Sequence, residues 1–158
     1  FSPPEQAVAL APLVVEVAQA ASAGVENDGK NRIMLAPIAA DLRVQGDPTQ
    51  VSQLLHNLIG NALKYGRSDK PVRVSAEEAD GGMVLITIAD EGEGIAPEHL
   101  PRLTERFYRV DPSRSRAMGG TGLGLAIVKH IVERHRGRLD IRSVPGVGTT
   151  VSVLLPAA

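Results

Sequence analysis

The stretch DPTQVSQLLHNLIGNALKYG, residues 47–66, decides the fold. Asp47 is a good N-cap, because a short carboxylate can accept from the orphan N–H groups of a first helical turn. Pro48 suits the first helical position, where no N–H is needed. Val51, Leu54, Leu55, Leu58, Ile59, Ala62 and Leu63 then recur at i, i+3, i+4, i+7, i+8, i+11 and i+12. That spacing predicts one apolar stripe on an amphipathic helix, and Gly66 ends it. The polar side carries Asn57, Asn61 and Lys64. At about 100° per residue these fall within roughly 60° of one another, expected to point well away from the Leu54, Leu58 and Ala62 stripe. Asparagine is a mediocre helix former because its side chain competes for backbone bonds. Two of them followed by a lysine supply carbonyl oxygens, which suit Mg²⁺, and one ammonium, which suits phosphate. The competing reading is a solvated polar face.

Working outward, residues 11–27 form a second helix with Leu13, Val14, Val17, Ala18 and Ala21 inward and Pro12 tolerated in its first turn. EQAVAL before it reads as a short edge strand. Residues 28–31 read as a turn, and RIML and LRV as short strands. VRVSAEE and MVLITIAD, separated by Asp80-Gly81-Gly82, read as a β-hairpin. Residues 97–103 are expected to form a short helix, and residues 104–121 a long, charged, arginine-rich loop. Residues 122–135 follow helical spacing with Leu123, Ile127, Val128 and Ile131 inward. RLDIRSV and TTVSVLL close the chain as a hairpin across residues 145–148. The order is not strict βαβ alternation. It predicts an α+β fold, a two-layer sandwich with a mixed sheet of about five strands on three helices.

Composition removes several function classes. The 158 residues suffice for one domain with a core. With 17 basic and 18 acidic residues the net charge is −1, so no global basic field points to nucleic acid or an anionic membrane. Aromatics at 3% also argue against base-stacking surfaces. The absence of cysteine excludes disulfides and thiolate chemistry. His56, His99, His130 and His135 show no metal-ligand spacing. No apolar run has the length of a membrane span, and FSPPEQ lacks the order of a signal peptide. A start without methionine is expected of a piece of a longer protein.

Two further segments carry chemistry. In ADEGEGI, residues 89–95, two glycines at i, i+2 permit a sharp turn and a flat ligand against the backbone. Asp90 ends a strand with a carboxylate able to accept from an exocyclic amine. The bland reading is a turn loop with a capping Asp. In GGTGLGL, residues 119–125, glycines precede a helix start whose N–H groups and dipole attract anions. It is neither a Walker A loop nor a Rossmann fingerprint, since no GK[ST] follows. A flexible hinge is the alternative.

Together these residues resemble the catalytic and ATP-binding domain of sensor histidine kinases, in the GHKL superfamily shared with gyrase, Hsp90 and MutL. DPTQVSQLLHNLIGNALKYG resembles the N box, DEGEGI the G1 box, ERFYRVD the F box and GGTGLGLAIVKHIV the G2 box; GVGTTVSVLLP resembles the last hairpin. The stretch from LPRLTERF to ERHRGRL looks most like phosphate-starvation sensor kinases of the PhoR kind. The resemblance implies the Bergerat-type sandwich, with residues 1–10 a lead-in from an upstream helical dimerisation domain and residues 11–158 the catalytic domain. It implies ATP and Mg²⁺ as cofactors. Asn61 would ligate Mg²⁺, Asn57 would lie near the phosphates, Lys64 would contact phosphate and Tyr65 would flank the nucleotide. Asp90 would accept from the adenine amino group, with Gly92, Gly94 and Ile95 beside it. Phe107 would anchor a lid, and Gly120, Thr121, Gly122, Leu123 and Gly124 would lie along the phosphates. Arg109, Arg114 and Arg116 are candidates for the γ-phosphate.

Hydrolytic members of the superfamily carry a glutamate where this chain has Asn57. An amide is no general base, so the phosphoryl group is expected to be held for another acceptor. The family's H-box histidine has no counterpart here. The resemblance therefore implies three partners: the protein's own dimerisation domain carrying that histidine, a second copy of the full-length protein, and a response regulator. It implies a cytoplasmic domain of an inner-membrane sensor, with no membrane contact by this piece. Thr104 departs from a position many members fill with a hydrophobic residue. The alternative is a degenerate nucleotide-binding regulatory module without transfer activity.

Overall fold

The computed structural model describes residues 4–23, 32–100 and 124–158. The capped stretch forms α2 (Pro48–Tyr65) as its sequence requires. The Asp47 carboxylate accepts from the N–H groups of Thr49 at 2.9 Å and Gln50 at 3.2 Å, and the Gly66 N–H closes the other end on the Ala62 carbonyl. All seven residues of the apolar stripe are buried. Each of the Val, Leu and Ile side chains among them contributes about 1.5–3 kcal/mol when fully removed from water.

What covers that stripe is a sheet on one side and two helices beside it. The strands are β1 (Gln6–Ala9), β2 (Ile33–Leu35), β3 (Arg43–Gly46), β4 (Val72–Ala79), β5 (Met83–Asp90), β6 (Arg138–Val144) and β7 (Gly148–Pro156). The main sheet has five strands in the order β2-β4-β5-β7-β6. β2 pairs with β4 in parallel and every other pair is antiparallel, so the sheet is mixed. Alternation sends Val72, Val74, Val84, Ile86, Ile88, Val153 and Leu155 into the core. Helices α1 (Leu10–Ala23) and α3 (Gly124–Arg134) flank α2. This is the three-helix, mixed-sheet sandwich expected from the sequence.

Some local expectations change. β1 pairs antiparallel with β3, and Leu10 opens α1 with its side chain fully buried. Residues 6–10 therefore pack within the fold, and β1 falls where EQAVAL reads as a short strand. Helix α1 begins one residue earlier than read; residues 24–27 of its expected span lie outside the described residues. Of the short helix expected at residues 97–103, residues 101–103 lie outside the described residues; the described part makes two successive i→i+3 bonds, Ala96 to His99 and Pro97 to Leu100, as at the start of a 3₁₀ turn. On α3, Val128 and Ile131 face inward as expected and Val132 joins them, while Ile127 is only partly buried.

Helices α2 and α3 run antiparallel. Gly124, the first residue of α3, lies beside the Asn61 side chain. At the far end, the Asp47 N–H donates to His135 Nε2 at 3.1 Å, while His135 Nδ1 lies 2.8 Å from the Ile131 carbonyl. A backbone donor at Nε2 makes that nitrogen the acceptor, so Nδ1 carries the proton and donates to Ile131. The ring is buried and its two bonds hold the end of α3 against the start of α2.

Candidate nucleotide-binding site

Two walls converge at the C-terminal half of α2. The first is built around Asp90, the last residue of β5. Its carboxylate accepts from the Gly92 N–H at 2.9 Å and from the Thr149 N–H across on β7. Burial pushes the Asp90 carboxyl above the ordinary range; the two N–H bonds and the positive charge of Arg32 pull the other way without cancelling it. The loop after Asp90 is clasped on both sides. Gly92 bridges to Gly66 beyond α2, and the Arg67 N–H donates to the Glu91 carbonyl at 3.2 Å. From the β6–β7 hairpin, Ser143 Oγ accepts from the Ile95 N–H at 2.7 Å, and the Gly146 N–H donates to the Glu93 carbonyl at 2.6 Å. Arg67 Nη2 donates to the Gly146 carbonyl at 3.1 Å and ties the hairpin tip to the exit of α2.

The two loop glycines have a cause within the fold beside the sharp turn read in the sequence. A Cβ on Gly92 would collide with the Tyr65 carbonyl, and one on Gly94 with the Val144 carbonyl. Gly94 also holds φ at 75°. Both are glycine because the chain's own backbone occupies the space a side chain would need.

The second wall is the polar side of α2. Asn57 and Asn61 are half-buried and Lys64 is exposed. The expectation that all three point well away from the apolar stripe is corrected: the asparagines lie on its border, where α3 packs alongside. Among the described residues, Asn57 Nδ2 is buried without a hydrogen-bond partner. Such a group costs free energy unless a ligand satisfies it. Beside it, Asn61 offers a carboxamide at the start of α3, where a Cβ placed on Gly124 would lie 3.4 Å from Nδ2. Mg²⁺ takes one or two protein oxygens and completes its shell with water and phosphate. An Asn61 oxygen fits the metal's need, while the unsatisfied Asn57 N–H donor and the start of α3 fit phosphate oxygens. Among the described residues, no cluster of three acidic or histidine side chains offers an all-protein metal cage.

Of the residues singled out from the sequence, Asn57, Asn61, Lys64, Tyr65, Asp90, Gly92, Gly94, Ile95 and Gly124 are brought to these two walls. Phe107, Arg109, Arg114, Arg116, Gly120, Thr121, Gly122 and Leu123 lie outside the described residues. Sequence reasoning missed Arg32, Arg67, Ser143 and Thr149. Thr149 stands in the closing hairpin motif, and its threonine pair was the one available signal. The two arginines and Ser143 act through contacts far apart in the chain and carry no local signature.

A half-buried carboxylate at the end of β5 and an under-satisfied amide on α2, on a helix-backed mixed sheet, suit an ATP-binding domain. The chain belongs to the histidine kinase-, DNA gyrase B- and HSP90-like ATPase family, whose model matches residues 46–158. It is similar to the phosphate regulon sensor protein PhoR of Pseudomonas aeruginosa, with 44% identity over 134 residues, covering 81% of this chain and 30% of that protein. The mycobacterial sensor histidine kinase MprB matches with a TM-score of 0.77 at 26% identity, over 97% of each chain. Full-length ShkA, solved in complex with AMPPNP, matches with a TM-score of 0.78 at 28% identity, over 100% of this chain and 32% of that one. The chain spans about 30% of the length of the first curated relatives it matches. Among the described residues, no helix is long and apolar enough to cross a membrane.

Proposed function

We propose that this domain binds Mg²⁺-ATP and transfers the γ-phosphoryl group to a histidine on a helical dimerisation domain of the same protein, which passes it to a response regulator. In this reading residues 1–10 continue from that upstream domain, the full-length protein is a homodimer, and the domain is the cytoplasmic part of an inner-membrane sensor. The observation that carries it is Asn57, an amide whose buried nitrogen is unsatisfied among the described residues, at the position where hydrolytic relatives hold a glutamate. An amide donor can hold a phosphate oxygen but takes no proton from water. That favours a retained phosphoryl group awaiting a protein acceptor.

Asp90 accepts from the adenine amine, and Gly92, Gly94 and Ile95 hold the loop behind it. Asn57 donates toward phosphate, Asn61 ligates the metal, and Lys64 meets the phosphates. Arg109, Arg114 and Arg116, with Phe107 and the segment Gly120-Thr121-Gly122-Leu123, supply the remaining cover and charge. When bound, Mg²⁺ neutralises the phosphate oxygens. The protein's part is positioning and charge, since phosphoryl transfer needs little covalent chemistry from the enzyme.

The test is to supply a helical dimerisation domain in trans with labelled ATP. An acid-labile phosphohistidine on that domain is expected, with slow ATP hydrolysis by the isolated chain. Hydrolysis as fast as in gyrase-type enzymes refutes the Asn57 argument. A folded pair that binds ATP but transfers nothing favours the degenerate regulatory module.

A further inference from the structure

We propose that Arg32 is a positioning residue of the nucleotide site: its guanidinium fastens the last turn of α2, which carries Lys64 and Tyr65, to the segment leaving the helix, and Gly66 and Arg67 of that segment pair with the loop after Asp90. The inference rests on the nucleotide-binding reading above and concerns a residue outside every motif that supports it. Arg32 stands just before β2. Its Nη1 donates to the Leu63 carbonyl at 3.0 Å, its Nη2 to the Arg67 carbonyl at 2.7 Å and its Nε to the Lys70 carbonyl at 3.2 Å. The final carbonyls of a helix have no intrahelical partner and carry the negative end of its dipole. One planar fork thus satisfies the end of the helix and the chain leaving it. A lysine keeps the charge but not the fork.

The same place is where α2 meets the Asp90 loop. Gly66 sits between them: a Cβ there would lie 2.6 Å from the Ala62 carbonyl, 3.1 Å from Asp90 Cβ and 3.3 Å from Arg32 Nη2. The guanidinium, the Gly66–Gly92 bridge and the base of Asp90 therefore share one joint. Arg32 is itself held to the sheet, because its carbonyl accepts from the Val72 N–H at 2.9 Å and the following strand pairs with β4. The joint is tied to the rigid edge of the sheet rather than to a loop. Arg32 also bears a charge that favours the ionised Asp90. The other groups around that carboxylate are the Gly92 and Thr149 N–H donors, Glu91 and Glu93 on its own loop, and Tyr65 and Arg67 at the exit of α2.

The clamp lies at the base-recognition end, so its loss should weaken adenosine, ADP and Mg²⁺-ATP by one common factor. Calorimetric titration of the three ligands compares the parent chain with Arg32→Ala, Arg32→Lys and Val8→Ala. Val8 is a buried residue of β1, away from both walls, and controls for lost stability. Arg32→Ala is expected to weaken all three ligands about tenfold, the effect of losing one good charged hydrogen-bond set. Arg32→Lys should lose much of that affinity while keeping the acid limb of adenosine binding in place. In Arg32→Ala that limb should move to higher pH. Val8→Ala should bind normally at a matched loss of melting temperature. Parent-like adenosine affinity in Arg32→Ala, a loss confined to Mg²⁺-ATP, or an equal loss in Val8→Ala each overturns the proposal. If Arg32→Ala does not fold, parent-like affinity in folded Arg32→Lys and Arg32→Gln does so. A parent chain that binds no adenine ligand overturns the nucleotide reading itself.

Discussion

The two walls of the site are built on opposite principles. Around Asp90 the protein satisfies itself: the carboxylate has two N–H donors, the loop is clasped by the α2 exit and by the β6–β7 hairpin, and two glycines are filled from behind by carbonyls. Along α2 the protein stops short of satisfying itself, leaving the Asn57 amide buried and without a partner among the described residues. The first wall is shaped before a ligand arrives. On the function proposed above, the second is completed by one: a base has one fixed edge to recognise, so a rigid acceptor would serve it, and phosphates and a metal bring their own oxygens and charge, so an unfilled face would serve them.

Mutations at the two walls should therefore fail differently. The largest effect is expected from Asn61→Ala, which should lower Mg²⁺-dependent phosphotransfer by about 100-fold or more while leaving adenosine affinity near that of the parent. Equal loss of adenosine binding breaks the division between the walls. Asp90→Asn should weaken adenosine and ATP alike by roughly 10- to 100-fold, the cost of trading a charged acceptor for a neutral amide. Unchanged affinity in calorimetry refutes the adenine assignment.

Gly94→Ala should destabilise the free domain by about 1–3 kcal/mol in chemical denaturation, because alanine is strained at its φ of 75° and meets a carbonyl. Asn57→Leu is the converse and the smallest in stability. Removing an unsatisfied buried amide should leave the free domain as stable or up to about 1 kcal/mol more so, while Mg²⁺-ATP affinity falls. A free domain that loses stability would mean the amide already has a structural partner.

The pH dependence sharpens the first wall. Asp90 titrates above the ordinary carboxylate range in the folded chain. As pH falls through that raised value the acceptor is protonated, so adenosine binding should weaken at a pH above the usual carboxylate range. The sign for stability is opposite. A carboxyl raised by burial disfavours the folded state while ionised, and protonation relieves that penalty as pH falls. Fluorescence titration of a nucleotide analogue across acidic pH measures the first effect, and thermal melts measure the second.

Local chemistry made much of this legible. The α2 helix is written in its own residues: cap, proline, stripe and terminating glycine are all within reach of one another, and the structure follows them to the residue. The two hairpins are equally local. Asp90 was legible as a strand-end carboxylate, and its bond to Gly92 spans only two positions. EQAVAL was legible as a strand and forms β1, but its pairing with β3 across residues 43–46 was not, because only the folded chain brings the two together.

By itself, then, the sequence determined the layered α+β architecture, the amide face of α2, the Asp90 loop and the family. Periodicity, caps and turns are short-range physics and are encoded where they act. Tertiary structure alone decided what stands behind those residues. It set the reason for Gly92 and Gly94, the clasp from Ser143 and Arg67, the His135 bond to the N-cap of α2 and the Arg32 joint. Each depends on groups brought together from 24 to 88 positions apart, as with Arg67 and Glu91 or Asp47 and His135, and only the closed sheet and packed helices supply that proximity.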